Sequence, residues 1–196
     1  MNRQILESII CLSLAVGIGG LVVLPVPGVK TPPVESSAGL NIPVTATKDP
    51  RVRAFLETIA WAEGTFHPEG WRTQYTDTRF RSLSDHPRQI HCGKIQGRRV
   101  CSDAAGAFQF LSTTWDRVAK QEGLEDFSPE AQTKAALVLL KQEGAFKAIK
   151  AGNLEEAVRL ASSQWAGLPG SYAQNPKRLE ELIRFYKSRM KNAPPT

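Results

Sequence analysis

No charged residue interrupts the chain between Ile9 and Val26, an almost wholly apolar run preceded by Arg3. A stretch of that kind engages the secretion machinery. It is long for the core of a signal peptide and short for a comfortable membrane helix, and Gly17, Gly19 and Gly20 weaken it further. No small-x-small cleavage site follows closely; Ser36-Ser37-Ala38 has the right residue types but lies well downstream. The expectation is an uncleaved anchor, with a cleaved signal peptide as the alternative and Arg3 on the inner side in either case. Residues 1–29 are assigned to this signal-anchor or signal peptide. Residues 30–48, rich in Pro, Thr, Ser and Val, are assigned to an extended linker.

Cysteine and histidine are scarce, with three of each. Cys92 and Cys101 bracket a short segment with Gly97 at its turn, and three readings stay open for them. They can close a hairpin as a disulfide in an oxidising compartment, remain two free thiols, or join His67, His86 and His91 around a metal. The spacing matches no regular zinc pattern, so the disulfide is preferred and no metal is assigned. Cys11 lies inside the apolar run, and Ser8-Ile9-Ile10 before it lacks the small residue expected ahead of a lipidated cysteine. Also missing are any recognition helix, zinc finger or RNA-binding signature. The net charge of +6 suits an anionic partner, but nucleic acid is not expected, and a merely solvated basic surface is the bland alternative.

What remains after the N-terminal segment suffices for one domain with a proper core, assigned to residues 49–191 with a C-terminal tail at 192–196. Asp49 as N-cap, Pro50 at the first helical position and Gly64 as the stop delimit a first helix. Its apolar face runs through Val52, Phe55, Leu56, Ile59 and Ala60 to Glu63. The last position of the buried face is thus a carboxylate. Desolvation disfavours its charged form, which would raise its pKa and let it act as a proton donor near neutral pH. Capping a neighbouring segment or pairing with an arginine is an equally weighted alternative at this point.

From His67 to Cys101 the helical period disappears, and loops with a small antiparallel β element are expected. Helices then resume. Ser112 or Thr113 caps one carrying Trp115, Val118 and Ala119, and Ser128-Pro129 opens a longer one ending at Gly144. A short helix spans Ala145 to Ala151. Asn153 and Glu156 form a capping box for the next, which leads toward Trp165. Asn175-Pro176 starts the last. The fold class is α+β, mostly helical, with the β element inserted early and no internal repeat. Glu63 falls where the first helix meets that insertion, a natural cleft floor. Phe108-Gln109-Phe110 sets a neutral amide between two aromatics, suited to a sugar hydroxyl or N-acetyl group. Trp165 reads first as core packing. Tyr172 and Gln174, in a Gly/Pro loop, are stronger ligand candidates. Asp85-His86 can relay a proton, although Asp85 before a turn is more simply a turn former.

These segments together resemble the lambdoid phage endolysin family, lysozyme-like lytic transglycosylases that cut peptidoglycan. The matching pieces are Ala60-Trp61-Ala62-Glu63-Gly64-Thr65, Phe80 with Ser84-Asp85-His86-Pro87-Arg88, Gly106-Ala107-Phe108-Gln109-Phe110, Trp115-Asp116, Asp126-Phe127-Ser128-Pro129 and Trp165-Ala166-Gly167-Leu168-Pro169-Gly170. They occur in the family's order over roughly residues 51–187. The resemblance implies a lysozyme-like domain with Glu63 as the catalytic acid, Gln109 as a substrate-binding amide and the Tyr172–Gln174 loop as a lip of the groove. Phe108, Tyr75, Asp85 and His86 are further substrate-contact candidates. The Tyr75–Arg79 stretch lacks the Gly-Gly turn often found ahead of the residue aligned with Phe80, and the segment holding Cys92 and Cys101 is atypical. The expected partners are peptidoglycan glycan strands and, through residues 9–26, the inner membrane. The enzyme is expected to be exported to the periplasmic or cell-wall space as a monomer, and to need no cofactor. A hydrolytic lysozyme using Asp77 or Asp85 as second carboxylate, or a wall-binding module without turnover, are the alternatives.

Overall fold

The computed structural model describes residues 39–95, 97–171 and 177–191. The assigned signal segment, the first part of the linker, the C-terminal tail, and the Tyr172, Gln174 and Asn175-Pro176 positions lie outside them.

Helix α1, Pro50–Ala62, starts as its residues dictate, with the Asp49 carboxylate accepting from the Arg51 and Val52 amides and proline in the first turn. Its apolar stripe of Val52, Phe55, Leu56, Ile59 and Ala60 is fully buried. Burial extends past that stripe to Ala54, Glu57 and Thr58, because α6, Leu179–Lys191, packs along the helix. Glu57 tolerates this through an ion pair of 2.6 Å with Arg189 Nε, and Thr58 through a hydroxyl bond to Ala54 O. Helix α1 is therefore the axis of the core, surrounded by other elements.

The other helices are α2, Ser112–Glu122, α3, Pro129–Gln142, α4, Ala145–Ala151, and α5, Leu154–Ala161. Ser128 caps α3 by accepting from Ala131 N–H, and Asn153 caps α5 by accepting from Glu156 N–H, as expected. The cap of α2 differs. Leu111 holds the cap position, Ser112 is already helical, and its amide and hydroxyl both donate to the Asp103 carboxylate, nine residues earlier in the chain. A remote anion at a helix N-terminus replaces the local Ser or Thr cap.

The β insertion consists of two ribbons. Strands β1, Thr73–Gln74, and β2, Thr78–Arg79, pair antiparallel around Tyr75-Thr76-Asp77, where Thr76 and Asp77 take φ of 68° and 61°. Strands β3, His91–Ile95, and β4, Arg98–Ser102, form the second, with Cys92 directly opposite Cys101 and the two joined as a disulfide. Gly93 of this ribbon lies against Thr76 and Tyr75, so the ribbons meet at the tip of the first.

Two expectations need correction. Leu40 and Ile42 lie in the stretch assigned to an extended linker, yet both are buried with the core, and Ile42 O accepts from Arg53 Nη2. The domain begins earlier than residue 49 because these two side chains have apolar surface to bury. The turn Ala105–Phe110, read from the sequence for its sugar-contacting amide, is a junction of the whole domain. Gln132 of α3, fully buried, accepts from Ala107 N–H at 2.9 Å and donates to Trp71 O at 3.1 Å and Phe127 O at 2.8 Å. It ties helix, insertion and turn together. Gly106, at φ 79°, is required beneath it, since a Cβ there would stand 2.3 Å from Gln132 Oε1.

Replacing Gln132 by leucine keeps the volume and strands three buried backbone groups, so Gln132→Leu is expected to lower stability by roughly 2–4 kcal/mol in urea unfolding. A change under about 0.5 kcal/mol would mean that packing alone holds the turn.

Candidate active site

Helix α1 ends in a Schellman turn. Thr65 N–H donates to Ala60 O and Gly64 N–H to Trp61 O, with Gly64 at φ 78°. Glu63 is the cap residue at the centre of this turn. Thr65 is buried, and its hydroxyl lies 2.5 Å from Ala107 O and 3.0 Å from Ala60 O, which fastens the helix end to the Ala105–Phe110 turn. On the other side Gly167 packs so closely that a Cβ would stand 2.5 Å from Ala62 O, and its N–H donates to Glu63 Oε1 at 2.9 Å. The carboxyl group is thus set by backbone on both flanks.

Glu63 does not point into the core. It is partly exposed at the floor of a groove with two lobes. One lobe, about 450 Å³, is lined by Glu63, Tyr75, Ile95, Val100, Gln109 and Trp165 among others. The second, about 330 Å³, is lined by Glu63, Gln74, Tyr75, Thr76, Asp77 and Gln109 among others. Glu63, Tyr75 and Gln109 line both, so they sit where the lobes meet. Burial pushes the Glu63 carboxyl up to about 7, and the hydrogen bond from Gly167 N–H offsets only part of that rise. Among the described residues no arginine or lysine pairs with it, which argues against the ion-pair alternative left open by spacing.

Gln109 is held at φ 47° with its Nε2 donating to Thr73 O at 3.1 Å and Gly106 O at 2.9 Å. Both amide hydrogens are occupied, which leaves Oε1 as an acceptor for the groove. The amide was expected both to donate and to accept; the structure leaves it the second role. Tyr75 stands at the tip of the first ribbon, as a groove residue should.

Three candidates lie elsewhere. Phe108 is buried in edge-on contact with Trp71 and Phe110, below Gln109 and outside both lobes. His86 is buried too. Its Nε2 donates to Phe110 O at 2.8 Å while Nδ1 accepts from Arg88 N–H at 3.1 Å, and its ring meets Phe127 edge-on. Desolvation lowers its pKa, so it is a neutral core histidine with both nitrogens occupied. Burial pushes Asp85 up, but hydrogen bonds from Arg88 and the His86 amide hold its carboxyl below the usual range. Arg88 bridges Asp85 to Asp116. The Asp85-His86-Pro87-Arg88 motif is therefore a structural clasp and lines neither lobe. Its spacing could not distinguish a clasp from a relay.

Two further groove residues, Gln164 and Gln74, gave no signal by type or spacing. Gln164 lines the larger lobe, and its Nε2 donates to Glu143 Oε1 at 2.8 Å, which again leaves Oε1 for the groove. Gln74 lines the smaller lobe with a buried Oε1 that has no hydrogen-bond partner among the described residues. Trp165 is both core and wall, buried with Nε1 donating to Phe108 O at 3.1 Å.

The chain resembles known proteins both in sequence and in fold. The Endolysin family model matches residues 53–192. The endolysin of Escherichia phage lambda is 36% identical over 142 residues, covering 69% of this chain and 88% of its own. That of Escherichia phage P2 is 35% identical over 150 residues, covering 70% and 91%. Among solved structures, bacteriophage lambda lysozyme complexed with a chitohexasaccharide superposes with a TM-score of 0.68 at 34% identity, over 73% of this chain and 96% of that one. Lysozyme from bacteriophage lambda also superposes, with a TM-score of 0.64 at 30% identity, over 76% and 97%. With the acid, the amide and the groove in this arrangement, the chain belongs to the Endolysin family and is a lysozyme-like glycosidase.

Proposed function

We propose that the protein is a peptidoglycan lytic transglycosylase, with Glu63 acting first as general acid and then as general base. The observation that carries the reading is a single carboxyl, raised to about 7, at the meeting point of both lobes. Retaining and inverting hydrolysis each normally need a second carboxylate. Of the two aspartates considered for that role, Asp85 is engaged by Arg88 outside the groove. Membership of the Endolysin family and likeness to a lysozyme that holds a chitohexasaccharide support a glycan strand lying in the groove.

Gly167 N–H engages Oε1, which leaves Oε2 to carry the proton. Glu63 donates it to the oxygen between N-acetylmuramic acid and N-acetylglucosamine, and the C1–O bond breaks. The carboxylate so formed takes the proton of the muramic acid C6 hydroxyl as that oxygen bonds to C1, closing a 1,6-anhydro ring and restoring the acid. Water and cofactors take no part. Gln109 and Gln164 Oε1 accept from sugar hydroxyl or N-acetyl N–H groups, and the Tyr172–Gln174 loop serves as a lip. The site of action is the cell wall, with residues 9–26 holding the enzyme at the inner membrane until release.

A hydrolytic alternative has one observation in its favour, because Asp77 lines the smaller lobe with Glu63. Its side chain is 76% exposed and paired to Arg79. Mass spectrometry of muropeptides released from purified sacculi decides between the two. Products ending in 1,6-anhydromuramic acid, absent with Glu63→Gln and still formed by Asp77→Asn, are expected. Reducing-end muramic acid that disappears with Asp77→Asn would make the enzyme a hydrolase.

The raised pKa also predicts two pH dependences. In the free enzyme kcat/KM should fall as pH rises past about 7, as Glu63 loses its proton. Stability follows the same sign. The folded state holds this proton more tightly than an ordinary glutamate carboxyl at 4.5, so the contribution is complete below that value and is lost as pH rises toward about 7. Glu63→Gln should therefore raise Tm more at pH 8 than at pH 5; a difference that does not vary with pH would refute the raised pKa.

A further inference from the structure

The disulfide-closed ribbon supplies one wall of the larger lobe through Ile95, Val100, Cys101 and Ser102. Its strand register also determines what stands on each of its faces. Residues directly opposite in an antiparallel pair project to the same side. Ile95 is paired with Arg98 and Gly93 with Val100, so Arg98 shares the face of the two apolar groove residues. On the reverse face Lys94 is paired with Arg99. Like charges set opposite one another weaken a ribbon, and none of these three cations takes part in an ion pair among the described residues. Arg99 Nη2 instead lies 3.5 Å from the Cys92 sulfur. By contrast, Arg79, Arg88, Arg159, Arg178 and Arg189 each hold a carboxylate. Gly97, just ahead of β4, takes φ 79°, and the cations cluster at this end of the ribbon.

We infer that this end of the ribbon, Arg98 with Lys94 and Arg99, is a binding lip for carboxylates carried on the substrate away from the scissile bond, namely those of the stem peptides on the glycan strand. The inference rests on the proposed peptidoglycan reading. Ile95 and Val100 take the apolar side of the strand or stem, and Arg98 meets a carboxylate at the edge of the same wall. The disulfide, the neighbouring pair to Lys94–Arg99 on the same face with Gly93–Val100 between them in the register, holds together two strands that the facing cations would otherwise push apart. A cost in local repulsion is accepted where an anion relieves it on binding. The reaction at Glu63 needs only sugar atoms, so the lip sets which strands are held and leaves the bond chemistry alone.

The test compares intact sacculi with the same strands stripped by an N-acetylmuramoyl-L-alanine amidase, which leaves only the lactyl carboxylate beside the ring. Full-length protein and the Arg98→Ala/Arg99→Ala double variant are assayed for cleavage, and both are also assayed for binding with Glu63→Gln added. The preference for intact over stripped strands should fall about fivefold in both assays, as expected for two exposed ion pairs. Arg98→Lys/Arg99→Lys should keep most of that preference. A mass measurement under non-reducing conditions confirms that the disulfide has formed in each variant. An unchanged ratio, or a ratio that the lysine variant loses as fully as the alanine one, overturns the lip. Cleavage by the wild type with an unchanged ratio leaves the enzymatic reading intact and removes the lip alone. No cleavage, but stem-dependent binding that the double variant loses, keeps the lip and removes the enzymatic reading.

Discussion

The site depends on how α1 ends. A helix C-terminus concentrates unsatisfied carbonyls and partial negative charge, an unfavourable place for a carboxylate. Here the cap residue is a glutamate whose only described donor is one backbone N–H, that of Gly167. Burial on top of that position holds the proton on Glu63 to about 7. The same turn must accept the Thr65 hydroxyl bond to Ala107 O and the close approach of Gly167 to Ala62 O. The acid, the turn bearing Gln109 and the Trp165–Gly170 loop are therefore located by one short piece of backbone. Gly64 and Gly167 are fixed by geometry, the first by its positive φ and the second by lack of room.

Local signals in the sequence were reliable where the physics is local. The Asp49, Ser128 and Asn153 caps, the apolar stripe of α1 and the glycine stops each follow from hydrogen bonds or dihedrals within a few residues. The early β insertion was legible from its lost helical period, and the opposition of Cys92 and Cys101 across the ribbon is what a short segment with a turn glycine permits. Failures came where a partner lies far along the chain. Gln132 reads as an ordinary helix residue until its bonds to Trp71, Ala107 and Phe127 are seen. The α2 cap comes from Asp103, and the orientation of Gln164 from Glu143. His86 illustrates the reverse case. Its residue type suggested chemistry, but two backbone partners fill both nitrogens.

Floor and walls are built differently. The floor is helix ends and glycine contacts, tied by Gln132 into the largest part of the core, so Glu63 and Gln109 have little freedom to move. The walls are two-stranded ribbons, which in isolation are marginal structures. One is braced by Gly93 against Tyr75 and Thr76 and closed by a disulfide, so its order comes from covalent and steric ties. This division allows the wall residues to vary with the strands they hold while the acid stays in place.

The position of the Glu63 pKa is itself an argument about reaction type. An acid that protonates a leaving oxygen gains from a low pKa, and the base that next removes a hydroxyl proton gains from a high one. Two carboxylates can divide those demands, as they do in hydrolases where one is held neutral and the other ionised. A single group doing both must sit near the pH at which it works. Desolvation lifts Glu63 toward that point and the Gly167 N–H restrains the rise, so removal of the donor would raise the pKa further and favour the base step at the expense of proton donation. Asp77, by contrast, is exposed and tied to Arg79. The asymmetry between these two carboxylates favours an internal proton circuit at Glu63 over a pair that activates water.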